Sequence, residues 1–272
     1  PPMHFNRIRL LHPQTRRAVI VLGVEGAHEN TVAIIGSAEI TDWEIYRAAD
    51  PILIRHEFGA TSARKLRDGQ NRIILFPRGH EGHKRADFID HRANLAACRE
   101  SCVTAIIATC MVGSLCVDLH PGAIIVPDQL IDFHRRIPTT FATTSGYQQL
   151  DVTNPYSVRV RNALLVGATR KEIMIDRTTG TYVGMDGPRF ETAAESRFLQ
   201  SAGGTVVGMT SVPEALMALE LNIDLGMLAV VVNFAAGLPT ADLTSQTMCR
   251  NRAAAIKDVE SIVMAACREL NA

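Results

Sequence analysis

With 272 residues, 47% of them hydrophobic and 21% charged, the chain has enough apolar material for one large buried core. Lys plus Arg equals Asp plus Glu at 28 each, so no basic excess points to nucleic acid or an anionic membrane, and a small-molecule substrate is favoured. Six cysteines with no CxxC pair and no zinc-ribbon spacing read as free thiols of a reducing cytoplasm rather than as a disulfide framework.

Residues 1–31 read as an N-terminal extension, with a basic stretch RIRLLHPQTRR (7–17), a short apolar run AVIVLG (18–23) and no cleavable leader; the main domain is expected over 32–272. Strands are expected at VAIIG (32–36), RIILF (72–76), VTAIIAT (103–109), GAIIVPDQLI (122–131), TVVGM (205–209) and LGMLAVVVNF (225–234). Most of them are apolar throughout rather than alternating, as strands covered on both faces are. Helical patterns fall at 87–101, 154–169, 190–202, 211–222 and 244–270. Ser211 and Glu214 have the spacing of a capping box, with Pro213 in the first turn. The longest apolar run, GMLAVVVNFAAGL (226–238), is shorter than the roughly 20 residues of a membrane span. Strands interleaved with helices, and no linker tract, predict a single α/β domain. Its mixed, mostly parallel central sheet is flanked by helices, and its ligand crevice lies beyond the carboxyl ends of the strands.

Attention therefore goes to the strand-to-loop junctions. Gly36-Ser37 ends an apolar strand as a phosphate loop would, yet without GxxxxGK[ST] or GxGxxG it reads more readily as a plain turn. In FPRGHEGH (76–83), the two histidines are three apart rather than at the i, i+4 spacing of HExxH, so no metal site is expected there. Arg78, alone, has the bland reading of a solvated charge, and Glu191 that of a carboxylate favouring a helix start. Asn233 is harder to dismiss, because an unpartnered amide inside an apolar strand costs about 1–3 kcal/mol.

Taken in order, GPRFETAAE (187–195), GMTSVPEA (208–215), VVNFAAG (231–237), RANLAA (92–97) and VPDQLIDF (126–133) resemble the trimeric purine nucleoside phosphorylase and methylthioadenosine phosphorylase family over about residues 32–262. The resemblance implies one α/β domain, a homotrimer, no metal or organic cofactor, and reversible attack of inorganic phosphate on C1′ of a purine nucleoside. It gives Glu191 and Asn233 to the base, Asn233 stabilising the leaving purine, with Phe190 packed on the ring and Met209 under the ribose. With an asparagine rather than an aspartate at 233, a 6-oxopurine such as hypoxanthine or guanine is the implied base.

The phosphate side departs from the family's pattern. Ala38 takes a position usually held by Thr, so a shifted Ser37 must supply the hydroxyl, and Glu39 brings negative charge toward an anion. Arg-His-Gly followed by His becomes Arg78-Gly79-His80 with His83; Cys110 stands where Thr or Asn is usual, with Thr109 just before it; Thr210 keeps its hydroxyl. Ser37, Arg78, His80, Thr109, Cys110 and Thr210 are thus the expected phosphate ligands, with Arg78 and Asn233 catalytic. Gln149, Ser245 and Met248 are the candidates for the ribose 5′ pocket, whose occupant is a hydroxyl, a methylthio or a deoxy group. These departures leave hydrolysis by water, or nucleoside binding without turnover, as alternatives to phosphorolysis; a 6-aminopurine substrate is disfavoured.

Overall fold

The computed structural model describes residues 30–69, 71–79, 85–142, 149–239 and 241–271 (all but the side chain of Ala38), together with two short paired antiparallel strands, β1 (Arg9–Leu11) and β2 (Ala18–Ile20). Its centre is β3 (Thr31–Gly36), buried along its whole length, between β6 (Asn71–Pro77) and β7 (Val103–Ser114), both parallel to it. Beyond β6, β5 (Gly59–Asp68) and β4 (Asp50–His56) continue the sheet antiparallel to one edge. β12 (Asp224–Phe234) runs parallel along β7, while β11 (Val206–Gly208) meets the last residues of β7 antiparallel. β10 (Thr181–Met185) and β9 (Gln129–Phe133) complete the other end in parallel pairing, and β8 (Ile124–Ile125) is antiparallel to β12.

The apolar-throughout strands are explained by the layers. Ala33 and Ile35 share one buried cluster with Leu95 of α2 (His91–Glu100) and Ala215 and Met217 of α5 (Ser211–Glu220). Val32 and Ile34 join the opposite cluster with Leu164 of α3 (Val158–Arg170) and Ile262 and Val263 of α6 (Ser245–Leu270). Successive side chains of a strand point to opposite faces, so a strand sandwiched by helices has no polar face to show. Two further helices, α1 (Glu44–Ala48) and α4 (Ala193–Ser201), lie near the two ends of the sheet.

The expected α/β domain with a mixed sheet is present, with three local differences. The run 122–131 is two strands, not one: Pro127, which has no N–H to donate, stands in the gap, and β8 pairs with β12 whereas β9 pairs with β10. The β4–β5 hairpin escapes an apolar-run search because its burial alternates, and β10 because Gly184 interrupts a short run. No described helix is long and apolar enough to cross a membrane.

Candidate functional site

At the carboxyl end of β6, the Arg78 N–H donates to Gly36 O at 2.7 Å, which joins the ends of β3 and β6. The Arg78 side chain then turns inward and is 1% exposed. Its Nε donates to Glu214 Oε1 at 2.5 Å and Nη2 to Glu214 Oε2 at 2.9 Å. Nη1 donates to Ser37 Oγ at 2.8 Å and to Thr109 O at 3.1 Å; Nη2 also faces Ile35 O at 3.4 Å and Cys110 Sγ at 3.7 Å. A guanidinium has five N–H groups, so every donor of Arg78 has a protein acceptor and none is left over for a ligand in this arrangement. The solvated-charge reading is overturned.

Glu214 corrects a second expectation. It does not cap α5: Thr210 is the N-cap residue, makes no side-chain capping bond, and the N–H groups of Thr210 and Ser211 donate to Tyr182 Oη at 3.2 and 3.3 Å. With those donors satisfied from another strand, the fully buried Glu214 is available to Arg78, and His91 Nδ1 lies 3.2 Å from its Oε1. Burial alone would push this carboxyl up, but the Arg78 guanidinium, with the His91 ring close by, outweighs it and holds the carboxyl down to about 2. Asn94 fixes the backbone of the pair from α2, its Nδ2 donating to Arg78 O at 3.0 Å.

Around this ion pair gather the expected phosphate residues. The Ser37 hydroxyl is held by Arg78, Thr109 is 1% exposed on β7, and Cys110 Sγ lies 3.5 Å from Thr210 Oγ1. Burial pushes the Cys110 thiol up, with the Arg78 guanidinium opposing. Glu39 is not a charge at the mouth of the site: it is 1% exposed, and its Oε1 accepts from Ser37 N–H at 3.0 Å and from Thr109 Oγ1 at 3.3 Å. Gly36 makes this packing possible, because a Cβ there would lie 2.9 Å from Thr109 Oγ1 and 3.0 Å from Ile40 Cβ.

Two of the expected base residues, Asn233 and Glu191, bond the backbone at the carboxyl end of β12. Asn233 is 4% exposed, and its Nδ2 donates to Phe234 O at 2.8 Å; Glu191, 8% exposed, accepts Ala236 N–H through Oε1 at 3.1 Å. A register shift between Val231 and Asn233 sets Asn233 opposite Gly113 of β7, which offers room for the amide. Phe190 is 37% exposed beside Glu191, and the half-buried Met209 precedes Thr210, with its sulfur against Gly187.

The 5′ candidates are Gln149, ahead of α3, and Ser245 and Met248, one turn apart on α6. Gln149 and Ser245 are exposed, and Met248 packs against the α3–α6 cluster. His80 and His83 lie outside the described residues, among which no group of His, Cys, Asp and Glu is arranged to hold a metal. Residues that the junction reading missed are Glu214, His91, Asn94 and Tyr182, and also His134, whose Nε2 faces Met209 O at 3.4 Å while Nδ1 lies 2.9 Å from Asp132. A carboxylate inside the apolar run SVPEALMALE was the available signal for Glu214.

A sequence model of the phosphorylase superfamily matches residues 17–268. A probable S-methyl-5′-thioinosine phosphorylase of Methanothermobacter thermautotrophicus is 38% identical over 200 residues, covering 73% of this chain and 69% of that protein. A 6-oxopurine nucleoside phosphorylase of Pyrococcus furiosus is 33% identical over 243 residues, 86% of this chain and 91% of its own. Among solved structures, the methylthioadenosine phosphorylase of Schistosoma mansoni in complex with adenine superposes with a TM-score of 0.82 at 25% identity, over 88% of this chain and 91% of that one.

Proposed function

The chain belongs to the phosphorylase superfamily, and from that premise we propose that it is a pentosyltransferase catalysing phosphorolysis of a 6-oxopurine nucleoside to free base and pentose 1-phosphate. The observation that carries the base assignment is that Asn233 and Glu191 bond backbone groups two residues apart, Phe234 O and Ala236 N–H, at the end of β12. A carboxylate only accepts, which suits the N1–H of hypoxanthine or guanine, while the Asn233 amide N–H not given to Phe234 O can donate to O6 or N7, both of which accept. The relatives named for 6-oxopurine nucleosides and methylthioinosine support the same class.

The C1′–N9 bond breaks with its electron pair going to the purine, whose negative charge Asn233 stabilises. A phosphate oxygen then bonds to the oxocarbenium-like C1′. The proton lost from phosphate is balanced by the one the purine gains. Positioning and electrostatics supply most of the acceleration. Ser37, Thr109, Cys110 and Thr210 line the phosphate end, and Arg78 acts there by its charge and by orienting the Ser37 hydroxyl. Inorganic phosphate is the co-substrate, with no metal or organic cofactor. The homotrimer and the cytoplasmic setting implied by the family resemblance belong to the same proposal.

The test is base release from inosine, guanosine, 5′-methylthioinosine and adenosine, each with and without phosphate. Phosphate-dependent release from 6-oxopurine nucleosides is expected. Equal release without phosphate, or release from adenosine alone, would overturn the proposal.

A further inference from the structure

The residue that departs most from a phosphate loop is also the one most firmly seated in it. Glu39 sits in a short 3-10 turn (Ala38–Asp42) directly after Ser37, with Ile40 and Trp43 of the same segment 0% and 1% exposed in the core. Its carboxyl is turned under the loop, where Oε1 accepts Ser37 N–H at 3.0 Å and Thr109 Oγ1 at 3.3 Å. One is a backbone N–H next to the strand-end glycine, and the other is a hydroxyl on the adjoining strand. Donors of both kinds are what a bound oxyanion uses. Burial works against the charge of this carboxyl, and Arg78 and Arg252 offset that only in part. The Ser37 hydroxyl and the Cys110–Thr210 pair, further candidates for phosphate, are tied to the same guanidinium within one side-chain length.

A carboxylate oxygen and a phosphate oxygen are equivalent acceptors, and a single N–H or hydroxyl donor cannot fully serve both. Two negative groups in contact in a water-poor site also repel far more strongly than in bulk water. We propose that Glu39 is a specificity-determining residue that competes with phosphate from within the chain: its carboxyl occupies the Ser37 N–H and the Thr109 hydroxyl, and phosphate takes them only when the carboxyl gives them up. The core anchors on Ile40 and Trp43 make rotation of the Glu39 side chain, not displacement of the turn, the way the donors are released. The consequence is a weak phosphate site whose affinity is set by residue 39. The inference rests on the phosphorolytic reading of the site.

The test measures inorganic phosphate binding directly, by titration calorimetry without nucleoside, on the full chain and on Glu39→Gln and Glu39→Gly, with folding checked by circular dichroism. Glu39→Gln keeps the shape and removes the charge; Glu39→Gly removes the competitor and carries the decision if the glutamine variant does not fold. Phosphate is expected to bind the variants at least about tenfold more tightly than the unaltered chain. The half-saturating phosphate concentration for base release should fall in parallel, while that for nucleoside stays put. Binding within about twofold of the unaltered chain, or no measurable phosphate binding to either variant, overturns the inference. Base release that ignores phosphate would instead overturn the functional reading, and the calorimetric comparison would still decide the role of Glu39.

Discussion

Arg78 and Glu214 form a two-point ion pair, 2.5 Å between Nε and Oε1 and 2.9 Å between Nη2 and Oε2, with side chains 1% and 0% exposed. It joins the end of β6 to the first turn of α5, and through Ser37 and Thr109 it reaches β3 and β7. The four junctions that resemble a phosphate site are thereby held to one another by a single guanidinium.

Removing one partner leaves the other as a buried, unpaired charge. Glu214→Gln is therefore expected to lower unfolding stability by about 3–5 kcal/mol in urea titrations. Replacing both, as Arg78→Met with Glu214→Leu, should recover much of that loss, since two apolar side chains of similar volume need no pairing. The double variant should still fail in base release, because the Ser37 hydroxyl and Thr109 carbonyl lose the group that orients them. A double variant with near-normal turnover would show that the pair serves stability alone.

Two of the buried carboxyls, Glu214 and Glu39, make opposite pH statements. Glu214 is held at about 2 in the folded chain against an ordinary 4.5, so its stabilisation is present above the ordinary value and is lost as pH falls toward 2. Burial pushes Glu39 above its ordinary value, with Arg78 only partly offsetting this. The folded chain thus holds the Glu39 proton more tightly than the unfolded chain does, and stability declines as pH rises from the ordinary value through the raised one. Thermal melts of Glu39→Gln and the unaltered chain should accordingly differ at neutral pH, with the variant more stable, and converge near pH 4. A constant difference across that range would mean that Glu39 does not titrate on unfolding.

Gly113 faces Asn233 across the strand pair, and a Cβ there would stand 3.1 Å from Asn233 Nδ2 and 3.3 Å from Val207 Cγ1. Both contacts are tight without being impossible, so Gly113→Ala should fold with a loss of about 1 kcal/mol or less. Moving the amide by a few tenths of an ångström costs most where charge develops on the leaving purine. The kcat for base release is expected to fall about tenfold with little change in nucleoside KM. A rise in KM with kcat unchanged would place Asn233 in ground-state binding instead.

How far these features could be read beforehand depended on whether a residue's partner is local. The buried strands were legible because full burial on two faces leaves an unbroken apolar run, as in Val32–Ile35. Asn233 was legible because an amide in such a run demands an explanation. Glu214 was misread because Ser211 and Glu214 have a sound local solution, the capping box; Tyr182, from a distant strand, satisfied the helix N–H groups and released the carboxylate. A capping box does form at Thr192 with Glu195, at the start of α4, one helix earlier in the chain. Arg78 gave no sign of its direction, since burial of an arginine is decided by a partner 136 residues away.

Glu191 offers the sharpest test of base selection. Its Oε1 is committed to Ala236 N–H at 3.1 Å, and among the described residues Oε2 has no donor. A carboxylate so placed favours a base with a proton on N1 and repels the N1 lone pair of a 6-aminopurine. Glutamine keeps the length and shape, and its amide turns to accept from one base or to donate to the other. Glu191→Gln is therefore expected to narrow the ratio of kcat/KM for inosine over adenosine by about 10- to 100-fold, or about 1.4–2.8 kcal/mol of discrimination. The loss should come mainly from slower inosine turnover, with adenosine release unchanged or increased. If the ratio stays constant while both rates fall together, Glu191 supports the Ala236 turn and does not read the base.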